Sequence, residues 1–405
     1  MKIAIVSDTH LGYEPFAEDA YMQAKEALEK ASSIADMILL PGDIFDKRFP
    51  RPDVLAQAFN IFRDLSHKEW SAKVVKFTPL EGSKSFTSVP IIAIPGTHER
   101  TVIGKENPLN LLALAGMLVD ASESYVTVEN NGESVSIFGL GGISEEQAKQ
   151  KLLELNPKPL PGSFNIFVFH QSIFELLPFS EDFMHLSDLP KGFDLYVDGH
   201  IHSKYISSIY GKKFIIPGST VLTQLKENEQ EPKGFFVFDT KAYKEEFIQI
   251  NSRPFKVIHI KFSNAQPSEI EQRCEQEINS AIDELSKDPF KRVPIVRLVL
   301  EGTIAGASDF LLSALAKRYS SKAVLSIDSS RLESPEIVAS MEGVRESKIG
   351  EMPIKELGIR VFMNKLKEAN FNAKVDVQEL FNILSSPESK EKVLKEAMEH
   401  LSKEE

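Results

Sequence analysis

The chain has 405 residues, 42% of them hydrophobic and 26% charged, which is typical of a globular protein long enough for at least two domains. A single cysteine excludes a disulfide framework and a thiolate metal cluster, and it fits a reducing cytoplasm. The formal net charge of −12 excludes a surface coated in basic residues but not nucleic acid as a partner, because phosphate contacts depend on local patches. No apolar run is long enough to span a bilayer and KIAIVSD follows Met1 directly, so neither a membrane protein nor a signal peptide is predicted.

The first 250 residues predict alternating strands and helices. Short apolar runs ended by Gly, Pro or Asp are typical of buried strands. They are KIAIVSD, MILLPGD, VPIIAIPGT, SVSIFGL, FNIFVFHQ, FDLYVDGH, KFIIPGST and GFFVFD. EDAYMQAKEALEKA predicts a helix with one apolar face, formed by Ala20, Ala24, Ala27, Leu28 and Ala31. This alternation indicates a largely parallel sheet at first and strand-rich structure after about residue 130, with a loop or insertion from Thr78 to Ser88.

Beyond Arg253 and Pro254 the pattern restarts and predicts a small α+β domain. FKVIHIKF, PIVRLVLEG and AVLSID predict strands, and ASDFLLSALAKRY predicts a helix. A further helix is indicated by apolar residues at a spacing of four, namely Ile270, Cys274, Ile278 and Ile282. On that stripe Cys274 is expected to be a plain buried thiol.

The end of the chain has a different character. Residues from about 333 to 372 are mixed and polar and predict a linker with a short helix. Residues 373–405 predict two short amphipathic helices, the second starting at Ser386-Pro387. Their apolar stripes either pack back on their own domain or face a partner, and their short length and polar approach favour a partner.

Five histidines and two aspartates directly follow apolar runs. They are Asp8, His10, Asp43, His98, His170, His200 and His202. One histidine after a strand is more often structural than a ligand, but seven such residues together predict a ligand cluster at one sheet edge. Asp and imidazole without thiolate is the ligand set of Mn, Fe or Zn sites that handle phosphate and water. Such sets commonly hold two ions that clamp the attacking and leaving oxygens of an in-line displacement.

The motifs DTH, GDIFD, GTHE, FHQ and GHIH, in this order over about 200 residues, resemble the five signatures of calcineurin-like metallophosphoesterases. SDTHLG, GDIFD and DGHIH…IIPGST are similar to the DNA double-strand-break repair nucleases of the meiotic-recombination-eleven family, called SbcD in bacteria, with the archaeal form closest in length. The resemblance implies a metallophosphoesterase β-sandwich flanked by helices in residues 1–250 and a small α+β DNA-capping domain in residues 251–332. It also implies a linker in residues 333–372 and a helical ATPase-docking tail in residues 373–405.

The resemblance also implies a role for each motif residue. Asp8, His10 and His202 would bind the first metal, Asp43 would bridge both, and His170 and His200 would bind the second. His98 would not be a ligand: it would protonate the leaving 3′ oxygen, oriented by Asp46. The implied cofactor is two Mn²⁺ ions, with Fe or Zn as alternatives.

Thr97 departs from the family pattern, which has asparagine at this position. An amide carbonyl is a good neutral ligand, whereas a threonine hydroxyl is a poorer one. Thr97 therefore coordinates weakly, holds a coordinating water, or only caps the next turn. In each case the second metal site is predicted to be the weaker one.

Basic residues flank the motif loops and form a candidate DNA-binding track. It comprises Arg48, Arg51, Arg100 and Lys204, with Lys47, Lys105, Lys212 and Lys213 nearby. Each residue alone is more often solvated surface, but together they would give DNA phosphates a local positive path. The apolar segment from Asn107 to Leu114 is the candidate helix for the homodimer that the resemblance implies.

Three functions of different classes follow. The leading one is a Mn-dependent exonuclease and endonuclease that processes DNA ends in the cytoplasm at the nucleoid, in complex with an SMC-like ATPase of the Rad-fifty/SbcC type. A second is another phosphoesterase on the same fold, which more than 150 residues beyond the last motif disfavour, because a simple phosphatase needs no capping domain. The third is a DNA-end-binding scaffold with a weakened metal site, for which Thr97 is the only support.

Overall fold

The computed structural model describes residues 1–80, 86–100, 106–177, 183–285, 288–289, 291–305 and 309–333. Residues 1–302 and 308–332 form one compact unit, and a second unit comprises residues 303–307 and 333–405. The predicted docking tail, and the predicted linker apart from its first residue, therefore lie outside the described residues. Within the described ranges, no helix has the length and apolar character needed to cross a membrane.

Sixteen strands and six α-helices are described. The strands are β1 (Lys2–Ile5), β2 (Met37–Leu40), β3 (Lys73–Pro79), β4 (Ile91–Ala93), β5 (Val119–Asp120), β6 (Ser124–Asn130), β7 (Glu133–Leu140), β8 (Phe164–Phe169), β9 (Leu195–Asp198), β10 (Tyr205–Ile209), β11 (Lys212–Ile216), β12 (Gly234–Asp239), β13 (Lys244–Gln249), β14 (Phe255–Ala265), β15 (Ile295–Ile304) and β16 (Val324–Glu333). The helices are α1 (Ala17–Ile34), α2 (Pro52–Ser66), α3 (Pro108–Leu114), α4 (Glu145–Leu155), α5 (Pro267–Leu285) and α6 (Asp309–Tyr319). Short 3₁₀ helices span Glu14–Phe16, Leu186–Asp188 and Glu227–Gln230.

Two mixed sheets form the centre of the molecule. Sheet one has the order β13-β12-β1-β2-β4-β5, with β1, β2, β4 and β5 parallel to one another. Sheet two has the order β10-β11-β9-β8-β7-β6-β3, with β7, β8, β9 and β11 parallel. Among the parallel strands, β2 and β4 are fully buried apolar runs, as expected for strands covered on both faces. The other parallel strands include polar or partly exposed residues, such as Lys2 in β1 and Lys212 in β11.

The core lies between and outside the two sheets, giving a sandwich flanked by helices. Side chains such as Ile5 and Leu39 of sheet one share a buried cluster with Val168 and Val197 of sheet two. The other face of sheet one packs against α1, α2 and α3, and the other face of sheet two packs against α4. The predicted fold class is confirmed.

Residues 255–333 contain a three-stranded sheet of order β14-β15-β16, and α5 packs on β14 and α6. On α5, Ile270, Cys274 and Ile278 are buried as predicted, and the stripe ends at Ala281 rather than Ile282. Burial raises the pKa of the Cys274 thiol to about 11, as expected for an unreactive cysteine. The predicted division after residue 250 stays a prediction.

One sequence interpretation was wrong in part. The segment from Thr78 to Ser88 is predicted as a loop or an insertion, but Thr78 and Pro79 complete β3, which pairs antiparallel with β6. Residues 81–85 of this segment lie outside the described residues. Strand β3 lies at the edge of sheet two and exposes Lys73 and Lys76, so it lacks the continuous apolar run that marks the buried strands.

Candidate metal centre

All the predicted ligands lie at the carboxyl ends of parallel strands, where the two sheets meet. Sheet one carries Asp8 and His10 after β1, Asp43 after β2, and Thr97 and His98 after β4. Sheet two carries His170 after β8, and His200 and His202 after β9. The structure brings six of these side chains into two groups, each with ligands from both sheets, and it places His98 in a third group with His10 and Asp46.

The first group is Asp8, His10 and His202, whose ligand atoms all lie within 4.8 Å of one another. The Nε2 atoms of His10 and His202 are 3.1 Å apart. Asp8 Oδ1 lies 3.9 Å from His10 Nε2 and 3.7 Å from His202 Nε2. Three ligand atoms therefore point at one small volume.

The second group is Asp43, His170 and His200. Asp43 Oδ2 lies 3.2 Å from His170 Nε2, and His170 Nδ1 donates to the main-chain carbonyl of Pro41 at 2.6 Å. The Thr97 hydroxyl is 3.5 Å from His200 Nδ1, which places it beside this group.

Buried ligand atoms indicate that the two groups fit metal ions. Asp8 Oδ1 is buried and has no hydrogen-bond partner among the described residues, while the buried His170 Nε2 is paired with Asp43 Oδ2, another member of its own group. An orphaned buried polar atom costs free energy that a bound cation would recover. Carboxylate and imidazole donors at these distances suit a divalent ion.

Neighbouring charges tune the imidazoles. Burial alone would lower the pKa of His170, but the Asp43 carboxylate raises it to about 10. Burial and the neighbouring His170 lower the pKa of His200 to about 4. Burial and His10 hold the pKa of His202 well below its usual range. His200 and His202 are thus neutral at pH 7, the form in which imidazole binds metal.

The backbone at the ligands is strained. Asp8, His10, Asp43 and His200 have φ angles of 50°, 44°, 48° and 66°, in the left-handed region that favours glycine. Such conformations cost roughly 1–3 kcal/mol each and occur where the surrounding structure over-determines them. Their concentration at this edge indicates a functional site.

The glycines of the motifs allow the loops to approach closely. A Cβ on Gly42, where φ is 101°, would lie 2.5 Å from His170 Nδ1. A Cβ on Gly96 would lie 2.2 Å from Asp43 Oδ1. The spacing between the ligand loops therefore requires glycine at these two positions.

His98 lies next to the first group and shares a third group with His10 and Asp46, whose possible ligand atoms lie within 4.8 Å of one another. That His98 is not a ligand stays a prediction. Its ring contacts the His10 ring edge-to-face with centroids 5.2 Å apart, and its main-chain N–H donates to Asp43 Oδ1 at 2.9 Å. The predicted contact with Asp46 runs through the main chain: His98 Nδ1 donates to the Asp46 carbonyl at 2.5 Å. The Asp46 carboxylate instead lies 3.5 Å from His10 Nδ1.

Sequence reasoning missed Glu99, which directly follows His98. Its fully buried carboxyl accepts from the N–H of Phe45 at 2.8 Å and of Gly96 at 2.9 Å, so it ties two ligand loops together. Burial and the nearby Asp43 raise its pKa to about 7. The available signal was an acidic residue inside GTHE, directly after a buried strand.

The predicted basic track divides into two sets. Arg51 pairs with Glu14 and Asp53, and Lys204 pairs with Glu231. Lys212 and Lys213 also have acidic partners, and Lys105 lies outside the described residues. In contrast, Arg48 and Arg100 line one cleft of about 550 Å³, together with Gln147 and Gln150 of α4.

A protein-family model described as calcineurin-like phosphoesterase matches residues 1–204. A relative named double-strand break repair protein MRE11, from Encephalitozoon cuniculi, is 26% identical over 308 residues, which cover 70% of this chain and 53% of that protein. The DNA double-strand break repair protein Mre11 of Saccharolobus solfataricus is 25% identical over 325 residues, covering 75% of each chain. The chain thus spans about half the length of the first of these relatives. A solved structure of a novel archaeal phosphodiesterase matches with a TM-score of 0.32 and 14% identity, covering 62% of this chain and 100% of that chain.

Proposed function

The chain belongs to the calcineurin-like phosphoesterase family, and on that premise we propose that it is a Mn²⁺-dependent DNA nuclease that processes the ends of double-strand breaks. The observation that carries the proposal is the pair of three-residue ligand groups with His98 beside them. The proposed activities are 3′–5′ exonuclease and single-strand endonuclease. DNA as substrate is supported by relatives whose names contain double-strand break repair.

The chain's own residues divide the work of phosphodiester hydrolysis. Two divalent ions held by the two groups, with Asp43 bridging, would supply Lewis acidity and activate water near neutral pH. His98 keeps Nδ1 bound to the Asp46 carbonyl, so its Nε2 is free to hold and transfer a proton. In the proposed mechanism His98 gives this proton to the leaving 3′ oxygen.

The cleft lined by Arg48 and Arg100 is the proposed path of the DNA backbone. Guanidinium groups are planar and form bidentate hydrogen bonds with phosphate oxygens. Arg51 and Lys204 already have acidic partners, so we assign them a smaller share of DNA binding. Action on chromosomal ends implies a cytoplasmic, nucleoid-associated protein.

The proposed partners are an SMC-like ATPase of the Rad-fifty/SbcC type and a second copy of the chain. The ATPase would bind residues 373–405, so deletion from Val375 onward should keep nuclease activity and abolish co-purification with the ATPase. Undiminished binding by the truncated chain would place the docking site elsewhere. For the dimer, α3 offers Leu111 and Leu114, which are 36% and 63% exposed.

The test is purified full chain with Mn²⁺, assayed on labelled duplex DNA, circular single-stranded DNA and p-nitrophenyl phosphate esters. We expect stepwise shortening of duplex ends and nicking of the circle, both lost on chelation. Cleavage of the small esters alone would show another phosphoesterase. DNA-end binding with no cleavage of any substrate would show a scaffold, and either result contradicts the proposal.

A further inference from the structure

Both histidines of GHIH are held from behind by a hydroxyl group. His202 Nδ1 lies 2.5 Å from the Thr223 Oγ1, and His200 Nε2 lies 2.9 Å from the Ser172 Oγ. The two hydroxyls come from different loops and contact different nitrogens of the two rings. Neither hydroxyl belongs to the motifs that supply the ligands.

Behind Thr223 lies the buried carboxylate of Glu229. The Thr223 hydroxyl donates to Glu229 Oε1 at 3.3 Å, and the Thr223 N–H donates to the same oxygen at 3.1 Å. Glu229 Oε2 accepts from the N–H groups of Gln224 and Leu225 at 2.7 and 2.8 Å. We name the chain of contacts from Glu229 through Thr223 to His202 the Glu229 relay.

Lys233 fixes both ends of the Glu229 relay. Its buried ammonium lies 3.2 Å from Glu229 Oε1 and 3.3 Å from the main-chain carbonyl of His202. It also donates to the Ser219 hydroxyl at 2.9 Å. Burial alone would raise the pKa of Glu229, but Lys233 and the main-chain donors hold it below its usual range, so this carboxylate is charged.

Behind Ser172 lies a second carboxylate, that of Glu145 at the start of α4. The Ser172 hydroxyl donates to Glu145 Oε1 at 3.0 Å, and the Ser172 N–H donates to both carboxylate oxygens at 3.1 and 3.2 Å. We name the chain from Glu145 through Ser172 to His200 the Glu145 relay. The two histidines therefore have the same kind of support from unrelated segments.

The direction of each hydrogen bond follows from proton counting. An ionised carboxylate can only accept, so the single hydroxyl proton of Thr223 or Ser172 goes to the carboxylate. The hydroxyl oxygen must then accept the imidazole N–H. His202 is protonated on Nδ1 with Nε2 bare, and His200 is protonated on Nε2 with Nδ1 bare.

In both cases the bare nitrogen lies beside another predicted ligand. His202 Nε2 lies 3.1 Å from His10 Nε2, and His200 Nδ1 lies 3.5 Å from the Thr97 hydroxyl. The two rings use opposite nitrogens, and each relay contacts the nitrogen that is not beside the other predicted ligand. Independent packing contacts would not be expected to select the correct tautomer twice.

We propose that the Glu229 and Glu145 relays are positioning devices that fix the tautomers of His202 and His200, each relay setting the affinity of one metal ion. The inference deepens the proposed function, because it rests on the same metal centre. Outer partners of ligating histidines typically contribute 10–100-fold to metal affinity. The relay residues touch neither substrate nor ion, so their role is orientation.

The test compares Thr223→Val, which removes the hydroxyl at nearly constant shape, with Thr223→Ser, which keeps it. Full-length protein labelled with ¹⁵N-histidine reports the tautomers by NMR without metal, and calorimetry with Zn²⁺ reports the two affinities. We expect Thr223→Val to remove the preference of His202 for the Nδ1-protonated tautomer and to lower the affinity for one Zn²⁺ ion by about 10–100-fold. Thr223→Ser should keep both the tautomer preference and the affinity. Ser172→Ala should remove the tautomer preference of His200 and lower the affinity for the other ion, without changing His202 or the first ion.

Thr127→Val and Ser136→Ala are matched controls, since these two hydroxyls bond each other at 3.2 Å in the buried part of sheet two. Both control variants should leave the tautomers and affinities unchanged. The relay proposal would be contradicted, and the proposed function would stand, if the wild-type tautomers were opposite to those expected. The same holds if Thr223→Val and Ser172→Ala left the tautomers and affinities unchanged. A wild-type chain that binds no Zn²⁺ would overturn the metal centre, and with it both the relays and the proposed function.

Discussion

The two ligand groups have the same composition, one aspartate and two histidines, but different surroundings. In the first group the two imidazoles face each other, with Asp8 completely buried behind them. In the second group Asp43 and His170 already form a close pair, and His200 opens onto the Thr97 hydroxyl. An ion that binds the second group must displace the proton shared by Asp43 and His170. It also finds the Thr97 hydroxyl at a position where a stronger neutral ligand would increase the affinity for the ion. The comparison teaches that ligand identity alone does not set affinity.

The largest expected effect concerns His98, the predicted general acid beside the first group. His98→Ala should lower the DNA cleavage rate by about 10²–10⁴-fold, because a general acid is lost. Metal content by elemental analysis and DNA affinity should stay close to wild type. His185→Ala is the matched control, since His185 is half-buried and pairs with Glu175 outside the three ligand groups. A parallel loss of metal in His98→Ala would make His98 a ligand.

The next prediction separates the two groups directly. His202→Ala should lower the affinity for the tightly bound ion, and His200→Ala should lower the affinity for the weakly bound ion. Each loss should exceed the 10–100-fold that outer partners of ligating histidines contribute. Calorimetric titration with Mn²⁺ measures both affinities in each variant. If His200→Ala removed the tighter ion, the proposed order of the two sites would be reversed.

The smallest expected effect concerns Thr97. Thr97→Asn places an amide carbonyl beside His200, so the Mn²⁺ concentration for half-maximal cleavage should fall severalfold, in line with one added neutral ligand. Binding of the first ion should be unaffected, because the Thr97 hydroxyl lies beside His200 of the second group. Two equally tight ions in the natural chain, or an unchanged requirement in the variant, would refute the idea.

The buried part of the fold could be predicted from sequence because it follows one simple rule. Strands such as β2 and β4, covered on both faces, are continuous apolar runs, and predicted ligands follow them within a few residues. The edge strand β3 mixes two lysines with three apolar residues before Thr78 and Pro79, and those last two residues are predicted as part of a loop or insertion. Its strand character comes from pairing with β6, a long-range contact that local pattern does not encode.

The candidate site shows the same division. The candidate ligands, which the structure brings together, could be selected from sequence because each motif carries its own residues at the end of a strand. The relay residues could not, because Thr223 lies 21 positions from His202, and Glu145 lies 27 positions from Ser172. A threonine, a serine and two glutamates on loops and a helix start have no local feature that distinguishes them from ordinary surface residues. Only the folded chain brings them behind the histidines.

Each ligand group takes side chains from both sheets, which has a consequence for mechanical integrity. Asp8 and His10 follow sheet one while His202 follows sheet two, and the second group is divided in the same way. A bound ion would therefore act as a reversible cross-link across the sandwich, in a chain whose single cysteine cannot form an internal disulfide. Because the two sheets could separate only after the ion dissociates, the rate of unfolding would depend on the free metal concentration around the protein. Resistance to proteolysis would then rise and fall with the metal supply of the cell.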